Sequence, residues 1–381
     1  NRFLTTALCL VFSCSLSQAQ VFTDVALNAG INHVFDYGDM LFGGGAAVFD
    51  YNNDGFEDVF ITGGEAPDQL YKNNGDGSFT AIDMLIAGFN HDEWLTIGAT
   101  AGDINNDGFR DLFITVRCAD GYHNGFGPNL LYLNNGDETF TDISVSSGIA
   151  DDTAFSTMAS FGDYNKDGYL DIYVSNFLHI PAVNCIDTST EELLIAVWPG
   201  TKNRFYINNG DNTFTEISEI MGVADTGMTV TGFFTDYDND GDLDIYCGNI
   251  LFCLGGNTTT VYRNNYPHNS FTEDIVNTGF HPFTFLTIGV AQGDYDGDGK
   301  IDMYLNDLGR NFLFKNNGNG YHTDVTFDAG VEHLMWFHGN DTILTRGGGT
   351  NFMDYDNDGD LYLFIANGSG RPHSGYNLSL I

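Results

Sequence analysis

Short apolar runs alternate with short acidic turns along most of the chain. Acidic turns are followed by runs of β-branched and aromatic residues, namely DVFI, DLFI, DIYV, DIYC and DMYL. Apolar runs of this length, bounded by turn residues, are typical of buried strands. A second phrase of the form LYKNNGDGSFT follows the apolar runs and places an Asn-Gly turn between two further strands. This arrangement predicts a β-hairpin.

One repeating unit therefore comprises strand A, an acidic loop, strand B, strand C, an Asn-Gly hairpin and strand D. A threonine marks strand D in successive copies at Thr80, Thr141, Thr215, Thr272 and Thr323. Four strands that repeat at such an interval predict the blades of a β-propeller. We therefore expect an all-β fold: one propeller domain over residues 20–381, built from four-stranded blades, with six blades visible.

Both ends of the chain bear on the number of blades. The phrase VFTDVALNAGI from Val21 reads as a strand D, and GYNLSLI from Gly375 reads as the start of a strand C. Together they could complete one mixed blade and close a ring of six. If the chain is truncated, a larger ring of seven blades is the alternative.

Six acidic loops carry oxygen donors at alternating positions around a glycine. Side chains at the first, third, fifth and ninth positions, with the carbonyl of the seventh, can converge on one point. Six to eight oxygens around a flexible site are what Ca²⁺ requires. The predicted ligands are Asp50, Asn52, Asp54, Phe56 and Asp58; Asp103, Asn105, Asp107, Phe109 and Asp111; Asp163, Asn165, Asp167, Tyr169 and Asp171; Asp236, Asp238, Asp240, Asp242 and Asp244; Asp294, Asp296, Asp298, Lys300 and Asp302; and Asp354, Asp356, Asp358 and Asp360.

The loops differ from EF-hands, which need a bidentate Glu at the twelfth position. Here the twelfth residues are apolar, as at Ile61 and Leu305. In the sixth loop Tyr362 stands where the closing aspartate is expected. The sequence thus predicts five to six structural calcium ions. The alternative is a set of acidic turns without metal.

The charge composition of the chain limits the classes of partner that it can bind. The chain has 52 Asp and Glu against 13 Lys and Arg, a formal net charge of −39. Phosphate binding needs a basic surface, so nucleic acid is disfavoured as a partner. The 32 Phe and 19 Tyr argue against disorder, because they can bury a large core.

The first residues predict export. Residues 1–19 hold one Arg, an apolar run and small residues, which is typical of a signal peptide cleaved after Ala19. A lipoprotein acylated at Cys14 is the alternative. No later stretch resembles a transmembrane segment, so we expect a secreted or cell-surface protein.

Cys247 and Cys253 are the first choice for a disulfide, with buried free thiols as the alternative.

Strand alternation places all the acidic loops and Asn-Gly turns on one face of the propeller. The longest irregular segments then lie on the opposite face, where aromatic residues on loops are common binding anchors. We expect Trp198, Trp336 and His338 to contact a ligand there. The alternative is that Trp94, Trp198 and Trp336 plug the channel as core.

The phrases GGGAAVFDYNNDGFEDVFITGG from Gly43, AQGDYDGDGKIDMYLNDLG from Ala291 and LYKNNGDGSFT from Leu70 resemble the FG-GAP/VCBS repeat family. Its blades occur in integrin α-subunit heads, and the chain is most similar to the secreted cartilage-acidic-protein family. The resemblance implies a propeller, structural calcium and an extracellular role in adhesion or in binding protein or glycan ligands. Tyr362 departs from the family pattern.

No sequence signature of catalysis is present: we find no GxSxG, HExxH or phosphate-binding loop. We therefore expect a binding module rather than an enzyme. The alternative is a polysaccharide-acting propeller whose acid–base residues lie on the face opposite the acidic loops.

Overall fold

The fold is described from a computed structural model. With side chains it covers residues 23–36, 44–91, 94–117, 127–150, 154–177, 200–249, 259–280, 287–307, 310–332 and 349–366. For residues 186–187, 192–193, 336–338, 341–343, 345–348, 367–369 and 377–380 only the backbone is described. The proposed signal peptide, Trp198 and Cys253 lie outside these residues.

The described strands build an all-β propeller with five four-stranded antiparallel blades. Along each sheet the order is A, B, C and D. The blades consist of β1 (Ala46–Phe49), β2 (Asp58–Ile61), β3 (Gln69–Asn73) and β4 (Phe79–Ala81); β5 (Leu95–Gly102), β6 (Asp111–Arg117), β7 (Leu130–Asn134) and β8 (Phe140–Asp142); β9 (Ser156–Gly162), β10 (Asp171–Asn176), β13 (Arg204–Asn208) and β14 (Phe214–Glu216); β15 (Thr229–Thr235), β16 (Asp244–Asn249), β17 (Thr260–Asn264) and β18 (Phe271–Glu273); and β19 (Thr287–Gly293), β20 (Asp302–Asp307), β21 (Phe312–Asn316) and β22 (His322–Asp324).

The prediction of six four-stranded blades is wrong. The sixth acidic loop lies in a three-stranded sheet of β25 (Thr345–Met353), β26 (Tyr362–Ser369) and β27 (Asn377–Leu380). The expected strand C near Gly375 is confirmed as β27, which pairs with β26. The expected fourth strand near Val21 is not among the described strands, because Thr23 and Asp24 lie outside any sheet.

The remaining elements are short. Between B and C of the third blade, β11 (Ile186–Asp187) pairs with β12 (Glu192–Leu193). Before the last sheet, β23 (Trp336–His338) pairs with β24 (Asp341–Ile343). A helical turn, α1 (Ser218–Met221), and a 3-10 turn at Ile275–Asn277 follow the D strands of the third and fourth blades.

The core lies between neighbouring blades. Each large cluster of buried apolar side chains draws on two adjacent sheets, as where Phe60 of β2 joins Tyr132 of β7, and Ile172 of β10 joins Phe113 of β6. Strand B is covered on both faces, so β10 and β16 are buried at every position. This explains why these strands read as continuous apolar runs rather than as alternating ones.

Turns after strand D fasten the first, second and fourth blades each to the blade that follows it. The amide of Phe79 donates to the carbonyl of Ala29 at 2.6 Å, and that of Phe140 donates to Ala87 at 2.8 Å. The following glycine must have no side chain: a Cβ on Gly88 would lie 2.1 Å from the Phe140 carbonyl oxygen, and its φ is +95°. The turn before Gly30 repeats this contact, so residues 25–31 behave as a D–A connection.

An asparagine at the end of strand C ties the second, third, fourth and fifth blades each to its predecessor. The Asn208 side chain donates to the carbonyls of Leu170 in its own blade (3.0 Å) and Ile104 in the preceding blade (2.8 Å). Asn134, Asn264 and Asn316 make the equivalent pairs of bonds. Because these carbonyl oxygens are buried away from water, each bond gives them the hydrogen-bond donor that water would otherwise supply.

The predicted disulfide between Cys247 and Cys253 is wrong for Cys247, which is a free and fully buried thiol. Its sulfur lies 3.2 Å from the Tyr173 hydroxyl of the neighbouring blade and 3.7 Å from the Asn203 amide nitrogen. The thiol therefore faces the interior between two blades. The alternative interpretation, a buried free thiol, holds for this residue.

We predict that Asn208→Ala lowers the free energy of unfolding by about 2–4 kcal/mol, because two buried carbonyls lose their donor. Asn209→Ala is the matched control, since this neighbour bonds only within its exposed hairpin, to Thr213 and Thr215. Urea unfolding of both variants measures the difference. Equal losses in the two would show that the link between blades contributes nothing.

Candidate metal centres

The acidic loops connect strands A and B, as predicted, and their backbone follows one pattern. In the first loop Asp50 accepts from the amides of Asp54 (3.1 Å) and Gly55 (2.8 Å), and Asp54 accepts from Phe56 (3.1 Å). The fourth residue has positive φ, at +57° in Asn53, and the glycine has φ of +89°. These two residues make the sharp turn that brings the alternating side chains to one side.

The ninth residue is the buried anchor of every complete loop. Asp171 is fully buried, and its two oxygens accept from the backbone amides of Tyr164 (3.2 Å) and Asn208 (2.9 Å). It thus joins the start of its loop to strand C. The same pair of bonds is made by Asp58, Asp111, Asp244 and Asp302. The sequence predicts a carboxylate at this ninth position, but only as a metal ligand and not as a link to strand C.

Burial makes these carboxylates hard to ionise. Desolvation raises the pKa of Asp111 to about 7 and that of Asp171 to about 7, against the lowering effect of the two amide bonds each accepts. In the fourth loop desolvation, together with the charges of Asp238, Asp240 and Asp236, raises the pKa of Asp244 to about 9. A cation nearby would favour the ionised forms.

In the last three loops three carboxylates converge. The groups are Asp236, Asp238 and Asp244; Asp294, Asp296 and Asp302; and Asp354, Asp356 and Asp358. Within each group one oxygen per residue lies within 4.8 Å of the others. Two oxygens on opposite sides of Ca²⁺ are separated by about that distance, since each Ca–O bond is roughly 2.4 Å. These carboxylates therefore fit Ca²⁺ in hardness and spacing, and they supply three of the six to eight oxygens that the ion takes.

The first three loops use an asparagine at the third position. In the second and third loops its amide nitrogen donates to the fifth residue: Asn105 to Asp107 and Asn165 to Asp167, both at 2.9 Å. A bound cation would have to replace these two bonds. In the sixth loop the Tyr362 hydroxyl lies 3.5 Å from Asp358, and its ring packs edge-on against Tyr355.

Neighbouring loops also contact one another. The Asn53 amide donates to the carbonyl of Gly108 in the second loop at 2.9 Å, and Asn106 donates to Gly168 in the third at 2.8 Å. Lys166 continues the series with a 2.5 Å ion pair to Asp242 in the fourth loop. The first four loops therefore form a linked series on one face of the propeller.

The opposite face has its own links between blades. The residue before strand C accepts a backbone amide from its own blade and reaches a hydroxyl on strand A of the next. Asn129 bonds Ser156 at 2.9 Å, and Asn203 bonds Thr229 at 2.9 Å. In the first blade this residue is Asp68, which accepts from Thr96 at 2.5 Å.

A buried histidine is hydrogen-bonded to Asp68. His91 Nε2 lies 2.8 Å from the Asp68 carboxylate, and Nδ1 lies 2.8 Å from the Tyr132 hydroxyl. Both side chains of the pair are only 3–4% exposed. Trp94 is half-buried and packs against the core of the first two blades. Trp336 and His338 lie in β23, whose side chains are not described.

Comparison with known proteins identifies the repeat. The sequence profile of the FG-GAP-like repeat matches residues 50–114, 115–174 and 190–247. The chain carries FG-GAP-like repeats. Cartilage acidic protein 1 of Xenopus tropicalis is 27% identical over 213 residues, or 55% of this chain and 28% of that protein. The human protein is 27% identical over 214 residues, covering 55% and 27%. The chain thus spans less than a third of these relatives.

Two solved structures are similar to this chain at low sequence identity. A lectin of Agrocybe aegerita that recognises non-reducing terminal N-acetylglucosamine is 18% identical, with a TM-score of 0.47 over 87% of this chain and 78% of the lectin. A mutant of AofleA from Arthrobotrys oligospora is 10% identical, with a TM-score of 0.45 over 91% of this chain and 88% of AofleA.

Among the described residues, no helix is long and apolar enough to cross a membrane.

We predict that the calcium-free protein loses stability as pH rises from 7 to 9. The folded-state pKa of Asp244 lies far above its unfolded value, so the folded state holds the extra proton and ionisation opposes folding. Calcium should reduce this loss, because it stabilises the ionised carboxylate. Melting temperatures at both pH values, in EDTA and in calcium, measure the effect. A rise in melting temperature with pH in EDTA would contradict the prediction.

We predict that the sixth loop binds calcium most weakly, and that Tyr362→Asp tightens it by supplying the missing carboxylate. Calorimetric titration with calcium should then show one site of higher affinity than in the unmodified chain. Tyr355→Phe is a control that keeps a ring beside residue 362 and adds no ligand. Six equal sites, unchanged by Tyr362→Asp, would disprove this ranking.

Proposed function

We propose that this chain is a secreted, calcium-stabilised β-propeller that acts as an extracellular binding or adhesion module for protein or glycan ligands. The observation that carries the calcium part is the repeated geometry of the acidic loops. In each complete loop a buried aspartate, as at Asp58, joins the loop to strand C. In the fourth and fifth loops two further carboxylates converge with that aspartate.

Calcium would act on the scaffold. An ion at the loops braces the turn that strands A and B share, and the loops are linked from blade to blade. A ligand bound only to the folded state stabilises it by about 2.7 kcal/mol at 100 times its Kd. Several such sites together are comparable with the roughly 5–15 kcal/mol that keeps a domain folded.

Binding is favoured over catalysis by the state of the one His–carboxylate pair found on the opposite face of the described chain. His91 and Asp68 are buried and hydrogen-bonded on both sides, to Tyr132 and Thr96. A general acid or base must reach the proton it transfers. This pair holds two blades together instead. We therefore propose that the loops on this face, rather than the pair, bind the partner.

We predict that EDTA lowers the melting temperature substantially and abolishes binding on a glycan and protein array, and that added calcium restores both. Trp336→Ala should weaken ligand binding while leaving calcium affinity unchanged, because the acidic loops lie on the other face. Trp94→Ala is the contrasting variant, since its half-buried ring should affect stability instead.

Calcium titration, melting and array binding of the same preparations distinguish the possible outcomes. An unchanged melting curve after exhaustive chelation would disprove the structural role of calcium. A Trp336→Ala variant that melts early but binds normally once folded would show that this tryptophan belongs to the core.

A further inference from the structure

The fifth acidic loop already contains a cation. The ammonium group of Lys315, on strand β21, forms an ion pair with Asp296 and lies 3.2 Å from Asp298. Asp296 is one of the three converging carboxylates of this loop, and Asp298 is its fifth residue. The lysine therefore occupies the side of the loop where calcium ligands are expected.

A second lysine comes from the loop itself. In the first three loops the seventh residue is aromatic, and its ring lies over the glycine of the Asn-Gly hairpin, as Phe56 does over Gly75. In the fifth loop this residue is Lys300. Its aliphatic stem covers Gly318 in the same way, and its ammonium group lies 2.9 Å from Asp298.

Corresponding positions in the other blades show that the lysines are particular to certain loops. The strand C residue that corresponds to Lys315 is Leu133 in the second blade, Ile207 in the third and Arg263 in the fourth. The charge of Arg263 acts on Asp238 of the fourth loop, where it lowers the pKa against the raising effect of burial. In the first blade it is Lys72, which lies 2.8 Å from Glu138 of the next hairpin and 3.6 Å from Asp54. Lys72 thus pairs mainly outside its loop, whereas Lys315 pairs within it.

We propose that Lys315, together with Lys300, is an internal counter-ion that competes with calcium for the fifth loop. This inference rests on the calcium-stabilised scaffold proposed above. Calcium entering the loop must displace the ammonium group from Asp296 and then remain near a like charge. The fifth loop, which pairs two lysines with its own carboxylates, is therefore stabilised without metal, and it binds calcium more weakly than its four aspartates imply.

The proposal has two opposite consequences for stability. Without calcium, removing the Lys315 ammonium group leaves Asp296 without its counter-ion, so the protein becomes less stable. With calcium, the same removal takes away a competitor and a like charge, so the ion stabilises the protein more. A surface charge with no role in the loop would produce no such reversal.

The test compares Lys315→Leu, which installs the residue of the second blade, with Lys202→Leu. The control removes the same charge from a lysine paired with Glu219, away from the acidic loops. Calorimetry should show the affinity of one calcium site increased about three- to tenfold in Lys315→Leu only, as expected for removing a screened like charge a few ångströms away. In EDTA this variant should melt below the unmodified protein, and its calcium-induced rise in melting temperature should be larger.

Leu133→Lys provides the converse and does not depend on how well Lys315→Leu folds. It introduces the lysine into the second blade and should weaken one calcium site by a similar factor. The proposal is overturned if both blade variants bind calcium as the unmodified chain does, or if Lys315→Leu and Lys202→Leu respond equally. If the unmodified chain shows neither calcium heat nor a calcium-induced rise in melting temperature, the proposed function fails with it.

Discussion

The buried aspartate at the ninth position of each complete acidic loop is the interaction on which the rest of the blade depends. Asp171 has no solvent contact and accepts two backbone amides, one from its loop and one from Asn208 on strand C. Asn208 in turn reaches the preceding blade at Ile104. A single carboxylate and a single amide thus connect loop, hairpin and neighbour. Since both are buried, losing either leaves polar groups without partners.

This arrangement places negative charge where it is least easily solvated. The chain carries a formal charge of −39 and only 13 Lys and Arg. Several of these cations lie at the acidic loops: Lys72 near the first, Lys166 against the fourth, and Lys300 and Lys315 in the fifth. The carboxylates of an acidic loop repel one another. This repulsion is reduced both by lysines of the chain and by cations from solution, and the share of each differs from loop to loop.

Much of the blade could be predicted from sequence because its signals are local. The acidic loop, the apolar strand after it and the Asn-Gly hairpin each lie within about a dozen residues, and the structure contains all three. Contacts between distant residues could not be predicted. Asn208 reads as part of a hairpin, yet it bonds Ile104 about a hundred positions earlier. Cys247 and Cys253 are close in sequence, but the Cys247 thiol faces Tyr173 of another blade.

The two faces solve the same packing problem with different groups. On the loop face an asparagine reaches back to the preceding blade, and on the other face the residue before strand C reaches forward to a hydroxyl of the next. Asn129 and Asn203 can donate to that hydroxyl, but Asp68 can only accept. Its second oxygen therefore needs a donor, and His91 supplies one. His91 is explained by the carboxylate whose oxygen it satisfies, so its position on the face opposite the acidic loops does not make it a ligand-binding group.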